Sequence, residues 1–300
     1  MMSDQRIGFI GTGVMGKSMV ARLRHNGYPV TVCNRSIEKA EATAEATGAV
    51  CAGSIADTVR DADVVITIVG YPSDVEQVML GEGGVFESAR PGTIVIDMTT
   101  SSPALAKKLY AQGEKAGLKL LDAPVSGGDV GAKEGTLSIM VGGDEDSFER
   151  CLPLFKAMGK NIVYMGPAGS GQHTKAANQI AVAGATVAMT EAIVYAEKTG
   201  LDPSTMLRAI GAGAAGSWQI TNMAPRVLSG DHDPGFFIKH FIKDMHIVEE
   251  EMAHRGTVLP MLRTVLQLYE DMAEDGDEDL GTQALVRLYR GKKGTRSEAH

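Results

Sequence analysis

The sequence predicts an α/β protein in which an N-terminal Rossmann-type, doubly wound sheet is followed by an all-helical C-terminal domain, joined to it by a long helix. In the first half, short β-branched runs alternate with helical stretches, the order that produces a mostly parallel sheet with helices on both faces. Residues 172–199 form one uninterrupted, Ala-rich helical stretch that is apolar around much of its circumference. Every later segment also has helical periodicity. The expected domains are residues 1–166 and residues 167–300.

The strands of the first domain are expected where short apolar runs are bounded by Gly, Pro or Asp. These runs are residues 6–10, 30–33, 63–69, 93–97, 118–122, 137–141 and 161–164. Helices are expected between the strands and throughout the second half, several of them after a serine cap. They are residues 37–47, 73–80, 103–116, 144–158, 172–199, 202–210, 217–229, 237–255, 258–274 and 281–290.

The composition limits the kinds of partner that the chain can have. Its 300 residues are 44% hydrophobic, enough for the cores of two ordinary domains. A net charge of -8 argues against a nucleic-acid surface and favours small-molecule partners. The three cysteines have neither zinc-site spacing nor a disulfide framework, so we expect no metal site and a reducing, cytoplasmic location. Neither a signal peptide nor a membrane-spanning run is expected.

A glycine-rich turn near the N-terminus carries the most specific chemical signal. The strand at 6–10 leads into Gly11-x-Gly13-x-x-Gly16 and then directly into a helical pattern. In that setting Gly11 permits the tight turn, Gly13 lets the main chain approach a pyrophosphate, and Gly16 lets the helix pack on the strand. The residues expected to bind a dinucleotide here are Gly11, Thr12, Gly13, Val14, Met15 and Gly16. The alternative is a glycine-rich turn that binds no nucleotide.

The end of the second strand predicts which nicotinamide cofactor is used. An Asp or Glu there would bind the ribose 2′-hydroxyl and repel a 2′-phosphate, but the sequence has Asn34, Arg35 and Ser36. Arg35 can pair with a phosphate while its plane stacks on adenine, and Ser36 can donate a hydrogen bond. We expect all three residues to bind the cofactor, with NADP favoured and NAD possible.

A second cluster, Asp122-Ala-Pro-Val-Ser-Gly-Gly128, follows a strand at the edge where doubly wound sheets bind ligands. Ser126 offers a hydroxyl, and the amides of Gly127 and Gly128 are unshielded by side chains, so the three residues can form a nest for a carboxylate. A Gly-Gly turn without a ligand explains the same residues equally well.

A third cluster lies at the start of the long helix. Lys175 and Asn178 are three residues apart and therefore share a face of an otherwise apolar helix. The apolar neighbours of Lys175 indicate an enclosed setting, which favours an acid/base role over a solvated lysine. His173 is a rival acid/base two residues away, but it lies on a different face.

These motifs, in this order, resemble the β-hydroxyacid dehydrogenase family, which contains 3-hydroxyisobutyrate dehydrogenase, tartronate semialdehyde reductase and the glyoxylate/succinic semialdehyde reductases. The resemblance covers nearly the whole chain and includes residues 8–16, 97–100, 122–128, 169–178 and 243–244. It implies that Lys175 is catalytic, that Thr100 and Lys243 contact the cofactor, and that Ser126, Gly127, Gly128 and Asn178 hold the substrate. It also implies a homodimer or homotetramer built around the long helix.

The expected function is therefore that of an NAD(P)-dependent oxidoreductase which interconverts a small 3-hydroxy acid and its semialdehyde, with Lys175 as the acid/base. The expected partner is a small carboxylated aldehyde or hydroxy acid. The alternative function is a non-catalytic, dinucleotide-binding regulatory module on the same fold.

Overall fold

The computed structural model describes residues 5–291, and within them a single mixed sheet contains nine strands. In chain order the strands are β1 Ile7–Ile10, β2 Val30–Cys33, β3 Val50–Cys51, β4 Val64–Thr67, β5 Ile94–Asp97, β6 Lys119–Asp122, β7 Val125–Ser126, β8 Leu137–Gly143 and β9 Gly159–Gly166.

The order of the strands is β3-β2-β1-β4-β5-β6-β8-β7, and β9 pairs with β8. The pairs from β3 to β6 are all parallel, whereas β8 runs antiparallel to β6 and β7. In the register of β4, β5 and β6, Thr67 lies beside Asp97 and Asp97 lies beside Asp122. The carboxyl ends of these strands therefore meet at one edge of the sheet, and polar side chains follow each of them.

Helices cover both faces of this sheet. In chain order they are α1 Val14–His25, α2 Ile37–Thr47, α3 Ile55–Val59, α4 Pro72–Leu80, α5 Val85–Ser88, α6 Pro103–Lys115, α7 Gly128–Glu134 and α8 Glu145–Met158. Because side chains alternate along a strand, Val64 and Ile66 of β4 lie in one apolar core while Val65 lies in the other. The predicted doubly wound α/β fold is confirmed.

The second part of the described chain is helical and has apolar cores of its own. Its helices are α9 Ser170–Thr199, α10 Pro203–Gly211, α11 Ala224–Ser229, α12 Ile238–Ala253, α13 Pro260–Glu274 and α14 Val286–Arg290, with a π-helical turn at Gln219–Met223 and a 3-10 turn at Thr282–Leu285. The predicted helices at 217–229 and 281–290 are thus each divided into two kinds of helix.

The chain divides into two compact units, and the division falls inside α9, between Lys175 and Ala176. The sequence places the boundary earlier, between residues 166 and 167. The difference arises because Gly169 is hydrogen-bonded to the end of β6, and the first turn of α9 to the loop after β5. Residues 1–4 and 292–300, at the outer ends of the expected domains, lie outside the described residues.

By length and composition alone, α9 is apolar enough to cross a membrane, contrary to the expectation from the sequence. Its buried polar residues, Gln172, Lys175 and Gln179, are instead typical of a helix in the interior of a folded chain.

Candidate active site

The three glycines of the loop between β1 and α1 have different surroundings. Gly11 has a φ of +102°, and a side chain there would also overlap the carbonyl of Ile68. A Cβ atom on Gly16 would overlap the carbonyl oxygen of Gly11, so only glycine lets α1 begin this close to the turn. Around Gly13, in contrast, an added Cβ would meet no atom within 4 Å. Gly11 and Gly16 therefore close the turn, and Gly13 leaves open space over it.

The residues of this loop fit a dinucleotide. Thr12 is 3% exposed, and its Oγ1 has no hydrogen-bond partner among the described residues. Val14 and Met15 are half-buried and, with Gly16, form the first turn of α1, where main-chain N–H groups have no partner within the helix. Open space over Gly13, helix amides and an unpaired hydroxyl together make a cradle for phosphate oxygens.

The three residues after β2 lie beside this loop but differ in what their side chains do. The Asn34 side chain accepts a hydrogen bond from the Thr12 amide at 3.1 Å and donates one to the Ser36 carbonyl at 3.0 Å. It therefore ties the two loops together. The Arg35 side chain is 91% exposed, and its Nη1 lies 3.3 Å from Oδ1 of Asp74.

Ser36 precedes α2 and donates its hydroxyl to the Glu38 carboxylate at 2.8 Å. This hydrogen bond lowers the pKa of Glu38 from its usual value. Of the three residues, only Arg35 presents a largely exposed charged group.

The predicted carboxylate nest is a turn between β7 and α7. Gly127 and Gly128 have φ values of +130° and +65°, in the left-handed region that favours glycine. Gly127 packs near Leu137, while an added Cβ at Gly128 would meet nothing within 4 Å. Ser126 and both glycines are half-buried. The turn therefore presents the first amides of α7 beside open space, with the Asp129 carboxylate in the same helical turn.

The first turns of α9 are bound to the sheet through a buried carboxylate. Oδ1 of Asp122 accepts a hydrogen bond from the Gly169 amide at 2.8 Å, and Oδ2 accepts one from the Gln172 amide at 2.9 Å. Burial raises the pKa of Asp122 to about 6, and the neighbouring Asp97 adds to the rise, although the two amides lower it. Lys175, the predicted acid/base, follows one turn later and is 7% exposed.

The loop after β5 is joined to the same turn of α9. The Gln172 side chain accepts a hydrogen bond from the Ser101 amide at 2.9 Å and donates one to the Thr99 carbonyl at 2.8 Å. Thr100, the predicted cofactor contact, is half-buried between these two residues. Oδ1 of Asp97 accepts from the Thr99 amide at 3.1 Å. One network of main-chain and side-chain bonds thus runs from the strand ends to the helix of Lys175.

In the second unit, the structure brings Asn178 and Lys243 into one network. Nδ2 of the Asn178 side chain donates to Oε1 of Gln179 at 2.7 Å, and Nε2 of Gln179 donates to Oδ2 of Asp244 at 2.6 Å. Oδ1 of Asp244 lies 2.9 Å from Nζ of Lys243, whose side chain is only 12% exposed. Two residues predicted separately, 65 positions apart, are therefore linked through Gln179 and Asp244.

Sequence reasoning missed Gln172 in the first unit, and Gln179 and Asp244 in the second, as partners of the polar networks described above. A signal was present, since Gln172 lies three residues before Lys175 and Gln179 four residues after it, along one stripe of an apolar helix. His173 is half-buried, while Lys175 is buried. Among the described residues there is no group of three or more His, Cys, Asp or Glu that could hold a metal ion.

Two families match successive parts of the chain. The family described as the NAD binding domain of 6-phosphogluconate dehydrogenase matches residues 6–166. The family described as NAD-binding of NADP-dependent 3-hydroxyisobutyrate dehydrogenase matches residues 169–289. Together the two matches cover the predicted cofactor loops, the Ser-Gly-Gly turn and both polar networks.

Individual relatives agree with these matches. The chain is 47% identical to the probable 3-hydroxyisobutyrate dehydrogenase-like 1 of Arabidopsis thaliana, over 95% of this chain and 85% of that protein. It is 36% identical to the 2-hydroxy-3-oxopropionate reductase of Escherichia coli, over 94% and 96%. A solved Mycobacterium tuberculosis 3-hydroxyisobutyrate dehydrogenase with L-serine has a TM-score of 0.85 at 32% identity, over 97% and 100%. The chain therefore belongs to the β-hydroxyacid dehydrogenase family, the NAD(P)-dependent oxidoreductases that include 3-hydroxyisobutyrate dehydrogenase.

Proposed function

We propose that this enzyme interconverts a small 3-hydroxy acid and its semialdehyde, with Lys175 as the acid/base. The observation that carries the proposal is the placement of Lys175. It is a buried lysine on a helix whose preceding turn is bound to the end of β6 by Asp122 and to the loop after β5 by Gln172. A lysine is rarely buried without a specific role, and a fixed main chain is what an acid/base needs in order to meet one substrate oxygen.

The chemistry divides between the cofactor and the protein. A bound nicotinamide ring supplies or accepts the hydride at the substrate's carbinol carbon. In the reductive direction, the Lys175 ammonium polarises the substrate carbonyl and gives its proton to the oxygen; in the oxidative direction, the neutral amine takes the hydroxyl proton. Asn178, three residues along the same helix, orients the amine or the hydroxyl.

The substrate carries a carboxylate, which the turn Ser126-Gly127-Gly128 binds through a hydroxyl and main-chain amides. Support comes from the open space over Gly128 and from relatives named for 3-hydroxyisobutyrate and 2-hydroxy-3-oxopropionate, both of which are carboxylates. An aldehyde and its carboxylated analogue, assayed side by side, test this part of the proposal, because equal kcat/KM values would contradict it.

The favoured cofactor is NADP, with NAD as a possible second cofactor. Arg35 is the exposed cation at the end of β2, and a 2′-phosphate would replace the Asp74 carboxylate as its partner. Ser36 would similarly exchange the Glu38 carboxylate for the phosphate. Thr100 and Lys243 are the further proposed cofactor contacts.

The enzyme assembles as a homodimer or homotetramer in the cytoplasm. Support comes from large apolar side chains of the second unit that stay exposed in the single chain, among them Tyr195 at 67%, Leu201 at 52% and Trp218 at 49%. Light scattering of the purified protein measures the assembly, and a monomer would contradict it.

Replacing Lys175 and His173 in turn tests the function itself. Lys175→Ala should lower kcat by about 10²–10⁴-fold, the usual loss for an acid/base, while the dissociation constant of NADPH stays near the wild-type value. His173→Ala, a neighbouring residue on another face of the helix, is the matched control and should leave kcat within about threefold. Fluorescence titration and steady-state kinetics measure both quantities.

Two outcomes would contradict this assignment. Wild-type turnover in Lys175→Ala would exclude the lysine mechanism, and a large loss in His173→Ala would transfer the role to the histidine. A wild-type protein that binds NADPH tightly but reduces no semialdehyde in a panel would instead favour the regulatory module.

A further inference from the structure

The residue before α9 has no side chain that could cap the helix, and the Ser170 amide donates to the main-chain carbonyl of Pro167. The preceding residue, Gly169, has a φ of +89° and no side chain, whereas the first N–H groups of any helix need acceptors from outside it. Asp122, at the carboxyl end of β6, is such an acceptor for the Gln172 amide, and it also accepts from the amide of Gly169, just before the helix. A cap from another element does more than a local cap, because it also fixes where the helix begins relative to the sheet.

The fit between α9 and the sheet is close enough to make that cap specific. A Cβ atom on Gly142 of β8 would lie 2.7 Å from Oδ1 of Asp122 and 2.7 Å from the Gly171 amide. A Cβ atom on Gly171 would overlap the Asp122 carbonyl oxygen. The first turn of α9 therefore packs main chain against main chain at the ends of β6 and β8, where a displaced helix would lose these contacts.

Gln172 adds a second link in a different direction. Its side-chain amide pairs with the main chain on both sides of Thr100, accepting from the Ser101 amide and donating to the Thr99 carbonyl. The pairing requires an acceptor and a donor on one planar group. The side-chain amide of Gln has both, whereas Met, of similar length, has no comparable donor. Gln172 is 1% exposed, so each of these polar groups would be left buried and unpaired without it.

We propose that Gln172, together with Asp122, is a positioning residue: it locks the first turns of α9 to the loop Thr99–Ser101 and so sets the direction in which Lys175 meets the substrate. The inference rests on the proposed role of Lys175. It also couples the loop that contains Thr100, the proposed cofactor contact, to the acid/base one turn further along the helix. A shift of the helix by about 1 Å is enough to cost on the order of 10²-fold in rate, so a link of this kind controls kcat without touching the substrate.

Gln172→Met tests the link, because methionine has a similar length but cannot replace either hydrogen bond. We expect kcat to fall about 10–100-fold, while the dissociation constant of NADPH changes less than about threefold. The matched control is Gln283→Met, since Gln283 is also fully buried and its side chain also bonds two main-chain groups, in this case by donating to the carbonyls of Asp231 and Asp233. The control should lower the melting temperature by a similar amount and leave kcat within about twofold.

A double-mutant cycle separates positioning from general damage. If Gln172 acts through Lys175, adding Gln172→Met to Lys175→Ala should produce no further loss of kcat, although each single change is harmful. Hydrogen exchange of the free enzyme gives a readout that needs no turnover. The amides of residues 169–175 should exchange faster in Gln172→Met, while those of α8 and α12 stay as in the wild type.

The proposal is overturned if kcat of Gln172→Met stays within twofold of wild type, or if Gln283→Met lowers kcat equally. It is also overturned if the losses of kcat from Gln172→Met and Lys175→Ala multiply in the double mutant, or if hydrogen exchange at residues 169–175 is unchanged in Gln172→Met. Failure of the proposed function is distinguishable from these results. It would appear as normal turnover in Lys175→Ala, whatever Gln172→Met does.

Discussion

The two compact units hold their polar networks by different means. In the first unit, most contacts are made by the main chain: Asp122 accepts from two main-chain amides, and Gln172 pairs with main-chain groups of Thr99 and Ser101. In the second unit, side chains bind one another, from Asn178 through Gln179 and Asp244 to Lys243.

The difference shows which substitutions each network can tolerate. A main-chain contact depends on the close approach of two segments. Replacing a glycine with alanine can therefore abolish such a contact, even though no hydrogen-bonding group is lost. A side-chain network depends on the identity of each partner, so truncating one carboxylate removes a bond from each of its neighbouring side chains.

Asp244→Ala should cause the largest loss of stability. It removes the carboxylate that pairs with the largely buried Lys243 ammonium, and truncating one partner of a buried ion pair costs about 3–5 kcal/mol. The matched control is Asp279→Ala on the same helical unit, where the pair with Lys239 is exposed and is worth less than about 1 kcal/mol. Denaturant unfolding measures the free energy of unfolding of both variants. Equal losses would show that the buried Asp244–Lys243 pair contributes no more stability than the exposed Asp279–Lys239 pair.

Gly16→Ala should have the next largest effect, of about 3 kcal/mol, at the upper end for overpacking, because its methyl group would overlap the main-chain oxygen of Gly11. Gly13→Ala should change stability by less than about 0.5 kcal/mol, since nothing lies within 4 Å of the added carbon. It should nevertheless weaken NADPH binding by occupying the space proposed for the pyrophosphate. Thermal unfolding and fluorescence titration distinguish the two, and a stable, NADPH-binding Gly16→Ala protein would contradict the main-chain account.

The pH dependence of stability should reveal Asp122. Its pKa is about 6 in the folded protein against about 3.9 in an unfolded chain, so the folded state holds the proton more tightly. Its stabilising contribution is complete below pH ~4 and is lost as the pH rises to ~6, by roughly 2–3 kcal/mol. We expect wild type to lose stability relative to Asp122→Asn over that window. If the free energies of unfolding of wild type and Asp122→Asn changed in parallel across this pH range, the pKa of Asp122 would not be raised in the folded state.

Arg35→Ala should have the smallest effect, limited to the choice of cofactor. Removing an exposed cation should lower the ratio of kcat/KM for NADPH to that for NADH by about tenfold, equivalent to ~1.4 kcal/mol. Arg90→Ala is the matched control, because the Arg90 side chain is also solvent-accessible, at 48%, and also pairs with a carboxylate, that of Asp63. An unchanged ratio in Arg35→Ala, or an equal change in Arg90→Ala, would contradict the assignment of NADP specificity to Arg35.

Local patterns predicted most of the sheet and the longer helices correctly. The strands predicted at 30–33 and 93–97 correspond to β2 and β5, and the helix predicted at 37–47 is α2. The short elements β3, β7, α3, α5 and α7 were not predicted. A segment such as Gly128–Glu134, with two glycines in seven residues, has too little periodicity to predict a helix and forms one here beside the antiparallel pair of β7 and β8.

The sequence by itself determined the elements whose causes are local: the glycines that a tight turn requires, the alternation of strand and helix, and the lysine among apolar residues near the start of the long helix. It could not determine that Asp122 caps a helix 47 residues away, or that Gln172 pairs with a loop 73 residues before it. Those roles depend on the register that places Asp97 beside Asp122 and on the main-chain packing at Gly142 and Gly171. Only the tertiary structure decides such contacts, because hydrogen bonds between distant segments leave no periodicity in the sequence.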